Sequence, residues 1–498
     1  MRRLIVLLWC ALVACGAGDR DAVRKPAVAG AFYPADPKVL AGAVDGFIAK
    51  AKPPAIKDVV AVVVPHAGYV YSGGVAGNAY ALVKGRNISR VVVISPSHVD
   101  AFPFASVYDG TAYETPLGTI PVDRAFAEQL TEKNSRVKLS NRGHVVEGNR
   151  GEHAIEVQLP FLQRALGRFS LVPIIMGDQD YETCRALGTS LAKLIRGPET
   201  LIVMSSDLSH FHKYDEAVKL DHKTLRAIEE WDYLSMARNF EMRIWEACGG
   251  GPIIAGMIAA ERLGATRATL LQYANSGDVT GDRDRVVGYG AVALSKPAPG
   301  SKTSGAAFSL SRPQKDELAR LARKSTETAV NERKLYEGPA SSSEVLMQER
   351  GAFVTLKKHG VLRGCIGYVA PMKPLFETVR EVAALAAVRD TRFPPVSAKE
   401  LPELEYEISV LSPLRRVLDV KEIEVGKHGL VMKKGSTEGL LLPQVPVEQG
   451  WDRATFLQQT CVKAGLPPDA WKDPDADIFS FTAVVFGEEK PGMKVTRK

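Results

Sequence analysis

Between about residues 58 and 294, short apolar runs alternate with helical patterns, and that alternation restricts the fold more than any other property of the chain. The runs are DVVAVVV (58–64), RVVVISP (90–96), SLVPIIM (170–176), TLIVMSS (200–206), RATLLQY (267–273) and VVGYGAVAL (286–294). Among the stretches between them, EVQLPFLQRAL (156–166), TCRALGTSLAKLI (183–195), YDEAVKLDHKTLRAIEEW (214–231) and PIIAGMIAAERLG (252–264) have apolar residues at helical spacing. Strands of four to eight residues alternating with helices predict one large α/β domain. No repeat at solenoid spacing interrupts it.

At 498 residues the chain exceeds what one core supports, and two or three domains are expected. SKPAPGSKTSGAAF (295–308) lacks periodicity and is rich in Pro, Gly, Ser and Ala, the composition of a linker. Beyond it, helices are predicted at 314–332, 374–388 and 453–465, a hairpin at 351–358 and 361–369 turning on His359 and Gly360, and strands at 404–412, 429–434 and 438–443. That mixture reads as an α+β domain. The expected boundaries are 25–295 for the first domain, 296–309 for the linker and 310–490 for the second.

MRRLIVLLWCALVACGAGDR opens the chain with two arginines, an apolar stretch from Leu4 to Ala14 too short to span a bilayer, and then small residues. It reads as a secretory signal over 1–15. Leu12-Val13-Ala14-Cys15 resembles the bacterial lipobox, which implies a diacylated Cys15, a membrane attachment through lipid and a location outside the cytoplasm; a plainly cleaved signal peptide is the alternative. Gly16 after the cysteine favours onward transport to an outer membrane. Cys184, Cys248, Cys365 and Cys461 remain in the body of the chain without a CxxC pair, so no disulfide framework is written here. Burial or metal ligation would keep such thiols reduced. Lys and Arg exceed Asp and Glu by only +7 and are interspersed with them, which disfavours a nucleic-acid partner.

Three strand-like runs end in the same way. AVVVPH finishes at His66, VVVISPSH at His98 and LIVMSSDLSH at His210. Ligands of α/β sheets bind beyond the carboxyl ends of the strands, so histidines distant in sequence can converge there. Two neutral imidazoles and one anionic ligand hold a divalent metal and leave positions open, the logic of a catalytic site. Cys248 precedes Gly249-Gly250-Gly251 and a helix, where the helix dipole would favour thiolate. Asp207, Glu152 with His153, and Glu156 are the other candidates for the anionic ligand. His212 and His222 are expected on the surface. His144 lies in the polar loop NRGHVVEGNRGEH (141–153), a candidate lid.

PHAGYVYSG (65–73), SPSH (95–98), EHAIEVQLPFLQ (152–163), SSDLSHFHKYD (205–215) and CGGGPI (248–253), in this order, resemble the Memo family over about 25–295. The resemblance implies the fold of class III extradiol ring-cleaving dioxygenases, whose iron is held by two histidines and a glutamate. Carried over by motif, His66, His98 and Cys248 would be metal ligands and His210 the acid/base. A thiolate where those dioxygenases use a carboxylate shifts the preference towards copper or a differently tuned iron. GAFVTLKKHGVLRGCIGYV (351–369) with RDTRFPPVSAKELPELEYEISVLSP (389–413) is similar to the AMMECR-type domain over about 310–490. There Arg363 beside Cys365 would lower the thiol pKa or bind an anion, the alternative being that Cys365 is a small core residue. The two modules together resemble the AmmeMemoRadiSam set, which implies a radical-SAM protein as partner.

The expected function is therefore a metal-dependent, dioxygenase-like or other redox enzyme. Iron or copper would sit on His66, His98 and Cys248, His210 would move protons, and Asp207 would orient a neighbour, acting on a small-molecule or peptide substrate. A non-catalytic binding or scaffold module, suggested by phosphotyrosine-binding animal relatives, and a hydrolase using metal-bound water are the competing expectations.

Overall fold

The chain is described by a computed structural model over residues 22–144, 151–297, 308–488 and 496–497. The signal segment, Cys15 and most of the linker lie outside the described residues. Among those described, no helix is long and apolar enough to cross a membrane.

The first unit is built on a nine-stranded sheet. Its strands lie side by side in the order His210–His212, Val286–Ser295, Val59–Val64, Thr200–Ser205, Arg90–Pro96, Ser170–Met176, Ala105–Val107 and Val137–Leu139, with Arg267–Asn275 paired to Val286–Ser295. The four central strands, from Val59–Val64 to Ser170–Met176, are parallel. Alternate side chains feed two cores: Val91, Val93, Leu201 and Val203 face one side, and Val92, Ile94, Ile202 and Met204 face the other. Helices cover both faces, which is why these runs are apolar throughout.

Strand runs predicted at 90–96 and 170–176 match the observed elements residue for residue, and the others agree to within two residues. The helix Tyr69–Val83 is not evident from sequence, because YVYSGGVAGNAYALV carries three glycines that lower helix propensity. Gly73 and Gly77 lie one turn apart against Phe47. A Cβ at either would stand 2.7 Å from that residue, so the glycines permit close helix packing.

The second unit is an eight-stranded antiparallel sheet in the order Val361–Tyr368, Ala352–Lys358, Leu404–Leu411, Asp477–Glu488, His428–Lys434 and Thr437–Leu441. Helices Arg312–Glu332 and Leu375–Val388 cover one end of it. Its long strand Asp477–Glu488, not among the strands expected from sequence, pairs with four others. The units share apolar packing, since Leu411, Leu414, Val431, Phe479 and Phe481 join the core that holds Tyr233, Leu234 and Trp245.

Candidate metal centre

Two residues beyond their strands, His66 and His98 emerge on either side of Thr200–Ser205, which lies between them in the sheet. Their rings stand nearly perpendicular, with centroids 5.1 Å apart. Cys248 arrives from the other direction, just before the helix Gly250–Arg262. Gly249 makes that approach feasible: a Cβ there would fall 2.4 Å from the Ser205 carbonyl oxygen. Cys248 Sγ lies 3.1 Å from His66 Nε2. One ligand atom from each of His66, His98 and Cys248 lies within 4.8 Å of the others. Donors bound to one ion at about 2.0–2.3 Å are at most about 4.6 Å apart, so small side-chain shifts bring all three onto a metal.

Hydrogen bonds orient both imidazoles. Gln158 Oε1 accepts from the Tyr80 hydroxyl, so its Nε2 donates, to Pro65 O and to Ser205 Oγ. Ser205 spends its own proton on Ala154 O at 2.6 Å and is left to accept from His66 Nδ1 at 3.0 Å. His66 therefore carries its proton on Nδ1, and its Nε2 lone pair faces Cys248. His98 Nδ1 lies 2.9 Å from Glu152 Oε1, which frees its Nε2 in the same way. Glu152 also accepts from the backbone N–H groups of His98, His153 and Ala154. Such carboxylate and hydroxyl partners fix tautomers and raise ligand basicity at metal sites.

Burial, aided by the His98 charge, pushes His66 down to about 3. Although burial alone would raise it, the hydrogen bond and charge of His98 hold Glu152 down to about 2. Glu152 in turn outweighs burial at His98 and raises it. The Cys248 thiol is raised, by burial and then by the Asp207 charge. This corrects the expectation of a dipole-stabilised thiolate: at the head of the helix, desolvation and a neighbouring anion outweigh the dipole. Binding a metal must therefore expel the thiol proton, and below the raised pKa of His98 a second one. Metal affinity measured against a competing chelator should rise about tenfold per pH unit around neutrality, and more steeply in acid.

Residues 24–293 match the family model for Memo-like proteins, and residues 319–486 match that for AMMECR1. A MEMO1 family protein of Methanosarcina barkeri is 40% identical over 277 residues, which cover 54% of this chain and 99% of that one; a second, of Methanothermobacter thermautotrophicus, is 36% identical over 277 residues, or 54% and 98%. The chain belongs to the Memo family. Its Memo domain is of a kind related to extradiol dioxygenases. Protein TK0174 of Thermococcus kodakarensis is 49% identical over 191 residues, 36% of this chain and 93% of its own. The crystal structure of an uncharacterised protein, PH0010 of Pyrococcus horikoshii, is 43% identical, with a TM-score of 0.37, covering 38% of this chain and 99% of that one.

Around the Memo donors the other candidates take distinct places. His210 stands outside the three-donor group; its Nδ1 is 2.9 Å from Leu208 O, so that nitrogen carries the proton and Nε2 accepts. The imidazole that does crowd the donors is His153, stacked on His98 at 4.7 Å and edge-on to His66 at 5.4 Å. His98, Glu152 and His153 form a second cluster of potential ligands. Phe32 covers His153, with ring centroids 4.6 Å apart. Sequence placed His153 beside Glu152 but gave no reason to rank it above His210, because it follows no strand. Asp207 is buried and accepts from the His66 backbone N–H at 2.8 Å, so it positions that residue. Glu156 belongs to a different network: it accepts from Arg24, Tyr33 and the backbone N–H groups of Ala27 and Val28.

Three expectations change. His144 is fully buried, its Nε2 donating to Ser106 O and its Nδ1 facing the Tyr113 hydroxyl, so it anchors the fold and forms no part of a lid; residues 145–150 lie outside those described. His222 is exposed as expected, whereas His212 is half-buried and 3.0 Å from Glu246. In the AMMECR1 domain, Arg363 engages Glu400 and the carbonyl groups of Pro394 and Pro395, away from the thiol. Burial raises the Cys365 thiol, and the nearby guanidinium is that of Arg392, which donates to the Cys365 carbonyl. Cys184 and Cys461 are buried, the first donating to Gln179 O and Gly251 O.

Acid sensitivity follows from the same burial. His66, His144 and His153 fall to about 3, 3 and 4, each chiefly through desolvation. Unfolding lets each take up a proton below its ordinary value near 6.5, so each contributes stability above that pH and loses it as the pH falls towards 3 or 4. The loss approaches about 1.4 kcal/mol per histidine per pH unit, opposed by His98 and by the buried carboxyls of Asp207, Asp221, Asp232 and Glu261, all of which are raised. Urea midpoints of the metal-free chain should therefore fall between pH 6 and 4, by clearly less than the three histidines alone would give, because Asp232 and Glu261 take up their protons in the same range.

Proposed function

We propose that this chain is a metal-dependent oxidoreductase-like enzyme whose iron or copper is held by His66, His98 and Cys248. One observation carries the reading: two imidazoles with their Nδ1 atoms already engaged meet a thiol within 4.8 Å, just beyond the carboxyl ends of parallel strands. A bound ion would supply Lewis acidity and one-electron chemistry. His210 Nε2 takes a proton from the substrate, because Nδ1 is committed to Leu208 O. His153, neutral at pH 7, walls one side of the crevice, and Glu152 and Asp207 hold His98 and His66 in place.

A small molecule or peptide is the proposed substrate, and a radical-SAM protein the proposed partner. Export through residues 1–15 with lipidation of Cys15 is the proposed route to the membrane. Supporting it are the sequence features of that segment. The test is chain purified without added metal and analysed for iron, copper and zinc, then assayed for substrate-dependent oxygen uptake. About one iron or copper per chain with oxygen uptake supports the proposal; metal-free, folded protein contradicts it.

A further inference from the structure

Asp477 opens the central strand of the AMMECR1 domain, yet its carboxylate is buried among side chains of the Memo domain. Oδ2 accepts from Arg185 Nε at 2.6 Å and the Tyr181 hydroxyl at 3.2 Å; Oδ1 accepts from Arg416 Nε at 2.9 Å and lies 3.5 Å from Arg262 Nη2. Arg185 also donates to Pro474 O. Arg416 alone of these four partners belongs to the same domain. Against the burial that would raise it, Arg185 and Arg416 hold this carboxyl below its usual range, so the clamp is charged at neutral pH.

The two helices it grips lead to the metal centre. Tyr181 and Arg185 lie in the first turns of Tyr181–Leu194, and Arg262 is the last residue of Gly250–Arg262. The helices pack backbone against backbone, a Cβ on Gly188 falling 2.5 Å from Ala255 O. At the start of Gly250–Arg262, Gln179 accepts from the Gly251 N–H at 2.8 Å and donates to Cys248 O at 3.1 Å. Cys248 thus hangs from the head of a helix about 20 Å long whose tail and whose neighbour are both tied to Asp477.

We propose that Asp477 is a positioning residue for the metal site, acting from the second domain by fixing the helix pair that presents Cys248. The proposal rests on the reading of His66, His98 and Cys248 as ligands. The match to this chain covers 99% and 98% of the two MEMO1 family relatives, which leaves no room in either for a second domain of this size. The clamp makes the fused AMMECR1 domain a structural part of the Memo centre.

Cobalt(II) titration of the full chain, with affinity set by a competing chelator, reads the site directly, because a cobalt–thiolate absorption band reports the Cys248 bond. Asp477→Asn should weaken cobalt binding roughly threefold to thirtyfold and alter the band. Arg262→Gln, which leaves Asp477 its other partners, should act in the same direction with a smaller effect and decides the matter if the first variant does not fold. Asp477→Glu should restore most of the affinity. If the Asn and Gln variants melt earlier yet keep wild-type affinity and spectrum, this inference alone falls, and the clamp merely joins the domains. If the wild-type chain gives no band, the metal-site reading falls and takes the inference with it.

Discussion

On the proposed site, Cys248→Ser is expected to abolish metal binding while leaving the fold intact. Sγ is 3.1 Å from His66 Nε2, its thiol is protonated without a metal, and a hydroxyl of similar size fills the same space. Serine does not ionise to an effective ligand near neutral pH, so the site is reduced to two imidazoles. Changing a residue that merely orients a ligand costs about 10–100-fold in affinity, and loss of the ligand itself should cost at least the upper end of that range. Metal analysis and a thermal melt of Cys248→Ser check this together: metal should fall to background, with the metal-free melting temperature unchanged.

The largest stability effect is expected beneath the site. Arg24 and Glu156 form an ion pair with side chains 3% and 0% exposed. Glu156 also accepts from the Tyr33 hydroxyl at 2.6 Å and from two backbone N–H groups, and Arg24 also donates to Glu152 O. Glu156→Gln leaves the guanidinium uncompensated in a buried place and should cost about 3–5 kcal/mol, a fall in melting temperature on the order of 10 °C. The double variant Arg24→Met, Glu156→Gln should recover much of that loss, because no charge is then stranded and the amide oxygen can still accept from Tyr33 and the backbone N–H groups. The network also reaches Glu152 through its carbonyl oxygen, so the single variant should weaken metal binding and the double variant should not fully restore it.

What the sequence made legible follows from how locally each feature is specified. Strands buried on both faces announce themselves as uniform apolar runs, and the three strand-terminal histidines inherit their placement from them. Cys248 stands out as one candidate because three glycines and a helix follow it, but only the Memo resemblance separates it from Asp207, Glu152 and Glu156. Long-range partners were not legible: nothing near His66 reveals that Ser205 and Gln158 fix its tautomer, or that burial, with the Asp207 charge, keeps the Cys248 thiol protonated. Strand Asp477–Glu488 escaped for a similar reason, since its role depends on pairing with strands earlier in the chain. The Arg363 reading failed because sequence neighbours on a strand need not share partners: Glu400 captures that guanidinium.

X-ray absorption at the edge of the bound metal, on anaerobically loaded full-length chain, is the most direct test. The expected first shell has one sulfur near 2.3 Å and two imidazole nitrogens at about 2.0–2.1 Å, the sulfur vanishing in Cys248→Ser. A shell of nitrogen and oxygen alone, unchanged by that substitution, would contradict the account.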